Sequence, residues 1–290
     1  MTINLSSPEK CLIIGCGDIG QRLAQQLHQQ GYLVTGLRRS ISSNLTYLRY
    51  HSGDATDIEQ MRELLTEGFN IIVISMTPSE RSDAGYKQAY VDSCQTLLQA
   101  LDLQQQKPRL ILFISSTGVY AQQDGSWIDE TSPTTPESFS GARLLQAEKL
   151  IRQSGHAHTI VRFSGIYGPG RRRLIEQVRQ KRASASPHYT NRIHADDCAG
   201  VIAHLIELQR TQNIAPIYVA TDSSPTPMID VVSWIAEQMG IEDFLASDAV
   251  NERGNKQISN KRLLDSGYRF IYPDFRSGYA TLLAPTDKRD

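Results

Sequence analysis

Three glycines near the start of the chain have the spacing of a phosphate-binding loop. Gly15, Gly17 and Gly20 form the pattern GxGxxG in the stretch "IIGCGDIGQRL", between an apolar run and a helical pattern. The first glycine permits a tight turn, the second lets the backbone approach a pyrophosphate, and the third packs helix on strand. A helix N-terminus also offers N–H groups and partial positive charge to phosphate, so we expect Asp18 and Ile19 to bind a dinucleotide together with these glycines. The alternative is a glycine turn without a ligand.

Two arginines follow the next apolar run, in "TGLRRS". Proteins that bind NAD usually place an acidic residue about 20 residues after the glycines, where it holds the ribose hydroxyls. Arg38 and Arg39 stand there instead, and a guanidinium can bind a 2′-phosphate through two hydrogen bonds. The pair therefore predicts NADP as the cofactor, with NAD as the alternative. Two solvated cations at an exposed strand end would need no ligand.

A further cofactor residue is predicted at Asp54, in "SGDATD". It follows the third apolar run, where its carboxylate is placed to meet the adenine. Aspartate is also a preferred residue at a helix N-terminus. Capping of the helix in "DIEQMRELL" therefore explains Asp54 equally well.

The elements that must position these residues alternate between apolar runs and helical stretches. Six runs are predicted strands: "CLIIG", "YLVTGL", "YLRYHSGD", "FNIIVIS", "RLILFIS" and "HTIVRFS". Short strands that are nearly all apolar, each followed by a crossover helix, indicate a parallel sheet covered on both faces. Right-handed crossovers then give an α/β fold with a Rossmann-type doubly wound parallel sheet.

The sequence changes character after Gly165. Strands become sparse, loops lengthen, and the chain carries "YGPGRRR", "SSPTP" and "IYPDF". We expect an NAD(P)-binding Rossmann domain over residues 1–165 and a smaller, irregular substrate-binding lobe over residues 166–290. Some of the later chain is expected to return to the Rossmann sheet.

Composition narrows the class of protein. The chain has 290 residues, 40% of them hydrophobic and 21% charged, which suits one large or two small soluble domains. A net charge of −1 gives no general case for nucleic acid as a partner. No apolar run approaches the roughly 20 residues of a membrane span, and the polar start "MTINLSSPEK" has no apolar signal core. We therefore expect a cytoplasmic protein without a membrane partner.

The cysteines indicate neither a disulfide framework nor a zinc site. Cys11, Cys16, Cys94 and Cys198 show no CxxC spacing. In a cytoplasmic protein such cysteines are expected to be reduced thiols. We predict that all four are buried.

Several motifs, in order along the chain, carry a family resemblance. They are "GCGDIG", "SGDATD", "ISSTGVY", "VRFSGIYGPGR", "NRIHADD" and "NKRLLDSGYRFIYPDFRSGY". With them the chain resembles the extended short-chain dehydrogenase/reductase superfamily, in its NAD-dependent epimerase/dehydratase branch. The resemblance implies a dinucleotide-binding lobe, a small substrate lobe and a small-molecule substrate, which in many members is a nucleotide sugar. It also implies a helix pair that could form a homodimer.

The resemblance assigns the catalytic hydroxyl to Ser116, four residues before Tyr120. In the family this hydroxyl forms a hydrogen bond with the reacting oxygen. Ser115 and Thr117 flank it, and Ser115 is assigned to the cofactor. The alternative for Ser116 is an ordinary serine at the end of a strand.

The helix predicted in "ESFSGARLLQAE" departs from the family. Members carry Tyr-x-x-x-Lys there, with a glutamate eight residues after the tyrosine. Counting back from Glu148 gives Ser140 and Leu144, and a shift by one residue gives Phe139 and Arg143. Neither register provides a phenol, whose pKa of about 10 a neighbouring cation would lower for proton transfer. Arg143 is expected to hold the ribose hydroxyls in the lysine's place, or else to be a solvated helix residue.

Two other residues could supply the missing proton. Tyr167, in "GIYGPG", lies where the family's loop closes on nicotinamide and substrate, although this tyrosine is structural in most members. His194, in "NRIHADD", has an ordinary pKa of about 6.5 and could shuttle a proton, whereas a buried, hydrogen-bonded histidine is the alternative. The adjacent Asp196 and Asp197 do not give it the spacing of metal ligands, so no metal site is predicted.

Two functions are compatible with these residues. The first is an NADP-preferring reductase, epimerase or dehydratase with a non-standard proton donor, acting on a nucleotide sugar or a similar polar hydroxyl compound. The second is a catalytically inactive NADP(H)-binding sensor or regulatory protein, which must bind the oxidised and reduced forms unequally to respond to them. Of these two functions, we expect the first, the enzyme.

Overall fold

The structure, a computed structural model, describes residues 7–41, 44–241 and 254–284. Its strands, numbered in chain order, are β1 Lys10–Ile14, β2 Leu33–Arg38, β3 Arg49–Ser52, β4 Ile71–Ile74, β5 Leu110–Ser116, β6 Trp127–Ile128, β7 His158–Phe163, β8 Gly165–Tyr167, β9 Tyr189–Thr190, β10 Arg192–His194, β11 Ile217–Ala220, β12 Thr226–Pro227 and β13 Gln257–Ile258. Its α-helices are α1 Asp18–Gln29, α2 Ile58–Leu65, α3 Asp83–Tyr86, α4 Ser93–Leu103, α5 Phe139–Gln153, α6 Arg173–Arg179, α7 Ala195–Thr211, α8 Met228–Gln238, α9 Lys261–Asp265 and α10 Phe275–Leu283. A π-helical segment over Lys87–Asp92 joins α3 to α4, and a 3-10 turn over Thr117–Val119 follows β5.

Seven strands form one parallel sheet in the order β11-β7-β5-β4-β1-β2-β3. From β1 the chain first builds outward through β2 to β3, and it then returns to place β4 on the other side of β1. In register, Ile13 of β1 stands between Gly36 of β2 and Val73 of β4. The predicted Rossmann-type doubly wound sheet is therefore confirmed. Its switch point lies between β1 and β4, which is where such sheets bind ligands.

The central strands are almost fully buried. This holds for Cys11–Ile14 in β1, for all of β4, and for Leu110–Phe113 in β5. Because successive side chains point to opposite faces of a sheet, such burial means that both faces are covered, as the nearly continuous apolar runs predict. The edge strand β3 instead reads "RYHS" and is partly exposed. At the opposite edge lies β11, which was not among the six predicted strands.

The helices have one apolar face, as α1 illustrates. It buries Ile19, Leu23 and Leu27, and the chain turns away from it at Gly31, whose φ is +90°. Over residues 7–41, 44–241 and 254–284, no helix has the length and apolar character that crossing a membrane requires. The prediction of buried, reduced thiols is confirmed, because Cys11, Cys16, Cys94 and Cys198 are all buried and none of them forms a disulfide.

The described chain forms two compact units that interleave along the sequence. The first contains residues up to 119, 134–162 and 199–218, and the second contains residues 120–133, 163–198 and those from 219 onward. The second unit has its own hydrophobic core, which includes Val231, Ile235, Phe275 and Tyr279. It also contains the two-stranded sheets β10-β8, β12-β9 and β13-β6. The predicted domain boundary after residue 165 stays a prediction.

Candidate cofactor site

The glycine-rich loop between β1 and α1 has the geometry that its glycines predict. Gly15 has a φ of +78°, and a Cβ atom there would lie 2.7 Å from the main-chain oxygen of Ser75, so only glycine fits. A Cβ atom at Gly20 would lie 3.1 Å from Cγ2 of Ile13, and this glycine therefore lets α1 pack closely on β1. A Cβ atom at Gly17 would meet no atom closer than 4.0 Å. The space beside Gly17 is therefore open.

The N-terminus of α1 has the character of an anion site. Gly17 occupies the N-cap position, and no side chain caps the helix there. The N–H groups of a first helical turn, here Asp18, Ile19 and Gly20, have no acceptor within their own helix. Together with the partial positive charge of the helix end, the open space beside Gly17 fits the pyrophosphate of a dinucleotide.

A cavity of about 280 Å³ adjoins this loop. Its walls come from the segments that follow β1, β2, β3 and β4, whose carboxyl ends share one edge of the parallel sheet. The predicted cofactor residues that line it are Gly15, Gly17, Arg38, Arg39 and Asp54. Of the others, Asp18, Ile19 and Gly20 form the first turn of α1, whereas Ser115 and Arg143 are not in the wall. The cavity is thus bordered by the glycine-rich loop that leads into α1 and by two arginines.

The two arginines in this wall differ in burial and in contacts. Arg38, the last residue of β2, is half-buried, and its guanidinium carbon lies 5.9 Å from the centroid of the Tyr50 ring. Arg39 is exposed, and its main-chain oxygen accepts a hydrogen bond from Oγ of Ser52 at 3.2 Å. Guanidinium groups are suited to bind a phosphate at this position. Tyr50, the aromatic neighbour of Arg38, was not among the site residues predicted from the sequence.

Asp54 remains an ionised carboxylate in the cavity wall. It accepts hydrogen bonds from N and Oγ1 of Thr56, at 2.9 and 2.8 Å. These bonds, chiefly the one from the Thr56 main chain, lower the pKa of Asp54, and the nearby charge of Arg39 acts in the same direction. Asp57, rather than Asp54, caps α2 by accepting hydrogen bonds from N–H groups of its first turn. The contact of Asp54 with an adenine stays a prediction.

In the second unit, the two predicted proton donors lie side by side. Strands β8 and β10 pair in parallel with His194 opposite Tyr167, and the two rings meet edge to face with centroids 5.3 Å apart. Tyr167 also stacks on Tyr279, with ring centroids 4.4 Å apart. The ring of His194 contacts that of Tyr272, with centroids 4.0 Å apart. Both donors are buried, and burial raises the pKa of Tyr167. The catalytic roles of Tyr167 and His194 stay predictions.

A buried carboxylate lies in the same unit, just after β11. Asp222 is 1% exposed, and its Oδ1 accepts a hydrogen bond from Ser224 N at 3.2 Å. Burial raises its pKa from the ordinary 3.8 to about 7, although the charge of Arg192 acts in the opposite direction. Asp274 and Asp197 raise the pKa further. Asp222 therefore changes its charge near neutral pH.

We expect Asp222 to make the stability of the protein depend on pH. Because its folded-state pKa is raised, its stabilising contribution is fully present below about pH 4 and is lost as the pH rises through about 7. Relative to Asp222→Asn, the wild type should lose at most about 4 kcal/mol of unfolding free energy over this range. Urea denaturation of both proteins from pH 4 to 8 tests this. Parallel pH profiles would show that Asp222 does not titrate in this way.

Comparison with known sequences identifies the family. The sequence model of the NAD dependent epimerase/dehydratase family matches residues 11–219. The chain belongs to this family. The matched range contains the glycine-rich loop, Arg38 and Arg39, Ser116, Tyr167 and His194.

Relatives match over nearly the whole chain. One solved structure is that of a Methylobacillus flagellatus protein assigned to the epimerase/dehydratase family. It is 40% identical to this chain with a TM-score of 0.82, and the match covers 96% of this chain and 98% of that one. Protein YeeZ of Escherichia coli K12 is 27% identical over 282 residues, which are 92% of this chain and 97% of YeeZ. A UDP-glucose 4-epimerase is 17% identical with a TM-score of 0.77, covering 93% of this chain and 95% of the epimerase. At that identity the likeness shows the fold alone.

The first turns of α5 stand where the resemblance places the tyrosine and lysine of the epimerase/dehydratase family. Ser138 caps the helix by accepting a hydrogen bond from Gly141 N, and Ser140 Oγ lies 3.0 Å from Ser138 Oγ. A Cβ atom at Gly141 would lie 2.6 Å from the main-chain oxygen of Gly118, so the glycine after Ser140 is required by close packing. Leu144 is buried. In this register the helix provides a serine hydroxyl and an apolar side chain.

The shifted register also lacks a phenol and a free cation. Phe139 is exposed and meets Tyr86 edge to face, with ring centroids 5.6 Å apart. Arg143 donates two hydrogen bonds to Asp83, from Nε and Nη2, both at 2.7 Å. A third bond runs from Nη1 to Gln146 at 2.9 Å. Arg143 is thus ion-paired rather than simply solvated, and its binding to a ribose stays a prediction.

The two serines at the end of β5 have different partners. Ser116 Oγ accepts a hydrogen bond from Gly118 N at 3.1 Å. Ser115 Oγ donates to Glu148 Oε1 at 2.6 Å, and Arg162 binds the same carboxylate at 2.9 and 2.6 Å. Glu148 and Arg162 are almost fully buried, and sequence reasoning missed their ion pair. The roles of Ser116 in catalysis and of Ser115 in cofactor binding stay predictions.

Proposed function

We propose that the protein is an NADP-preferring oxidoreductase of the epimerase/dehydratase type, acting on a nucleotide sugar or a similar polar hydroxyl compound. The observation that carries this proposal is a cavity that combines an open glycine loop with two arginines. When bound, the nicotinamide supplies hydride chemistry. Ser116 would form a hydrogen bond with the reacting oxygen of the substrate, and the proton donor would be a group outside α5.

Two positive charges at the end of β2 support the preference for NADP. Arg38 and Arg39 both line the cavity, and a 2′-phosphate carries the complementary charge. Arg39 is close enough to Asp54 to affect its pKa. Among the residues that the structure describes, Arg38 forms no ion pair, so its charge is available to a ligand. NAD, which lacks the 2′-phosphate, would leave this charge unused.

The fold supports a nucleotide sugar or a similar compound as the substrate. The UDP-glucose 4-epimerase that shares this fold acts on a nucleotide sugar, as its name states. The second unit has a hydrophobic core of its own, and we propose that it serves as the substrate lobe that the family resemblance implies. We therefore infer a nucleotide sugar or a compound with similar polar hydroxyl groups.

Removal of the two arginines tests the cofactor preference. We expect Arg38→Ala/Arg39→Ala to weaken NADPH binding about 10- to 100-fold, because the loss of charge-assisted hydrogen bonds costs about 1.5–3 kcal/mol. NADH affinity should change less than about threefold, since NADH makes no contact that depends on these charges. Nicotinamide fluorescence titrations measure both constants. Arg49→Ala is the matched control, because Arg49 binds Thr35 and Glu67 and does not line the cavity.

The second candidate is an inactive NADP(H)-binding sensor, and α5 favours it. Neither the pair Ser140 and Leu144 nor the pair Phe139 and Arg143 supplies a phenol beside a cation. A sensor must bind NADPH and NADP+ with affinities that differ by about a hundredfold or more to change its state substantially. The enzyme has no such requirement, so similar affinities for the two forms would favour the enzyme. Competition between NADPH and NADP+ distinguishes the two, and product analysis after incubation with UDP- and dTDP-sugars tests the enzyme directly.

A further inference from the structure

Tyr50 links helix α1, which follows the glycine-rich loop, to Arg38 in the cavity wall. Gln21 donates a hydrogen bond from Nε2 to Tyr50 Oη at 2.7 Å, and the guanidinium of Arg38 lies 5.9 Å from the centroid of the Tyr50 ring. Gln21 belongs to the first turns of α1, where its main-chain N donates to Gly17 O at 2.9 Å. Contacts therefore run from the glycine-rich loop through Gln21 and Tyr50 to Arg38.

The register of the sheet explains why Tyr50 reaches Arg38. In the parallel pair β2-β3, Gly36 is opposite Tyr50 and Arg38 is opposite Ser52. Residues two apart in a strand share a face, so Tyr50 and Arg38 project from the same face of the sheet. Gly36 has no side chain that could stand between them. A larger residue would not fit there, because a Cβ atom at this position would lie 2.8 Å from Cβ of Cys16 in the loop. The ring of Tyr50 can therefore extend toward Arg38.

The neighbouring arginine has no comparable support. Arg39 follows the end of β2, is exposed, and lies near the carboxylate of Asp54. An arginine side chain has many rotamers, and a guanidinium that is held in place before binding loses less entropy when it binds a phosphate. Arg38 is half-buried beside Tyr50, and its guanidinium is therefore better preorganised for phosphate binding than that of Arg39.

We propose that Tyr50 is a positioning residue for cofactor specificity. It holds the Arg38 guanidinium in the cavity wall, so that Arg38, more than Arg39, binds the 2′-phosphate. Tyr50 does not itself line the cavity, and it acts through Arg38. The inference rests on the proposed preference for NADP.

The test is a mutant cycle read out as two dissociation constants. NADPH and NADH are titrated by fluorescence into the full-length wild type, Tyr50→Ala, Tyr50→Phe, Arg38→Ala and the double variant Tyr50→Ala/Arg38→Ala. We expect Tyr50→Ala to weaken NADPH binding about tenfold, in line with the loss of one arginine–aromatic contact and its ordering effect. Its NADH affinity should change less than about twofold. Tyr50→Phe, which keeps the ring but loses the Gln21 bond, should have an intermediate effect.

The cycle separates a positioning role from a structural one. In the Arg38→Ala background, Tyr50→Ala should have no further effect on NADPH binding. Tyr47→Ala, which removes a half-buried tyrosine from the segment before β3, is the control and should leave the NADPH/NADH ratio unchanged. If Tyr50→Ala weakens NADPH and NADH equally, or if its effect persists without Arg38, the inference is overturned. A wild type without NADP preference overturns the proposed function as well, whereas a preference that Tyr50→Ala leaves intact overturns the inference alone.

Discussion

Gly17→Val is expected to abolish dinucleotide binding while it leaves the fold intact. The backbone at Gly17 has a φ of −90° and a ψ of −147°, and a Cβ atom there would meet no atom closer than 4.0 Å, so the neighbouring atoms leave room for a side chain. The added side chain would occupy the open space where a pyrophosphate must approach the start of α1. We expect the affinity for both NADPH and NADH to fall at least about a hundredfold. The melting temperature should fall less than in Gly15→Ala, in which the added Cβ atom would clash with the main chain of Ser75.

Gly15→Ala provides the contrast. Its φ of +78° disfavours any other residue, and the new Cβ atom would lie 2.7 Å from Ser75 O. This variant should therefore lose thermal stability as well as cofactor affinity. Calorimetry and fluorescence titration of both variants measure these quantities. Unchanged NADPH affinity in Gly17→Val would mean that no pyrophosphate lies beside this residue.

Glu148→Ala is expected to be the most destabilising single substitution that we predict. It would leave the buried guanidinium of Arg162 without its carboxylate, and it would remove the acceptor of Ser115 Oγ. Breaking a buried ion pair by removing one partner costs about 3–5 kcal/mol. Because the free energy of unfolding of a domain is only about 5–15 kcal/mol, this substitution would remove a large part of the protein's stability. Urea denaturation measures the loss.

Two further variants show that the loss comes from the buried charge. Glu59→Gln removes a carboxylate from an exposed pair, in which Arg62 Nη1 lies 3.1 Å from Glu59 Oε2, and it should cost less than about 1 kcal/mol. Glu148→Leu/Arg162→Met replaces both charges by apolar groups and should recover part of the loss. A double variant that is less stable than Glu148→Ala would contradict this explanation.

The features that could be predicted from the sequence are those encoded by local pattern. Five of the six predicted strands, all except the partly exposed β3, are apolar runs in the central sheet, because burial on both faces requires nearly continuous apolar residues. The roles of Gly15 and Gly20 follow from their spacing, since a tight turn and close helix packing each require the absence of a side chain. The line of apolar residues on α1 was equally local.

The features that were missed depend on contacts between distant residues. Arg143 and Asp83 are 60 residues apart, Tyr50 and Gln21 are 29 apart, and nothing in their spacing indicates that they meet. Strand β11 is no shorter than the predicted strands β3 and β4, but it lies in the part of the chain that we interpreted as an irregular lobe.

The candidate site was predicted less completely than the fold for a related reason. Ser115 and Ser116 are adjacent, and alternation along a strand sends them to opposite faces. Which of the two turns toward the Glu148–Arg162 pair depends on the packing of α5 and β7, which sequence alone does not specify. Asp54 and Asp57 posed the same problem, because either could cap α2 and only the bond geometry identifies Asp57.

The most direct test of the central claim is a parallel fluorescence titration of the wild-type protein with NADPH and NADH. If Arg38 and Arg39 bind a 2′-phosphate, NADPH should bind at least about tenfold more tightly than NADH, and the difference should shrink as salt screens the charges. Equal affinities, or tighter binding of NADH, would contradict the preference for NADP. Binding of neither nucleotide would contradict the assignment of the cavity to a dinucleotide.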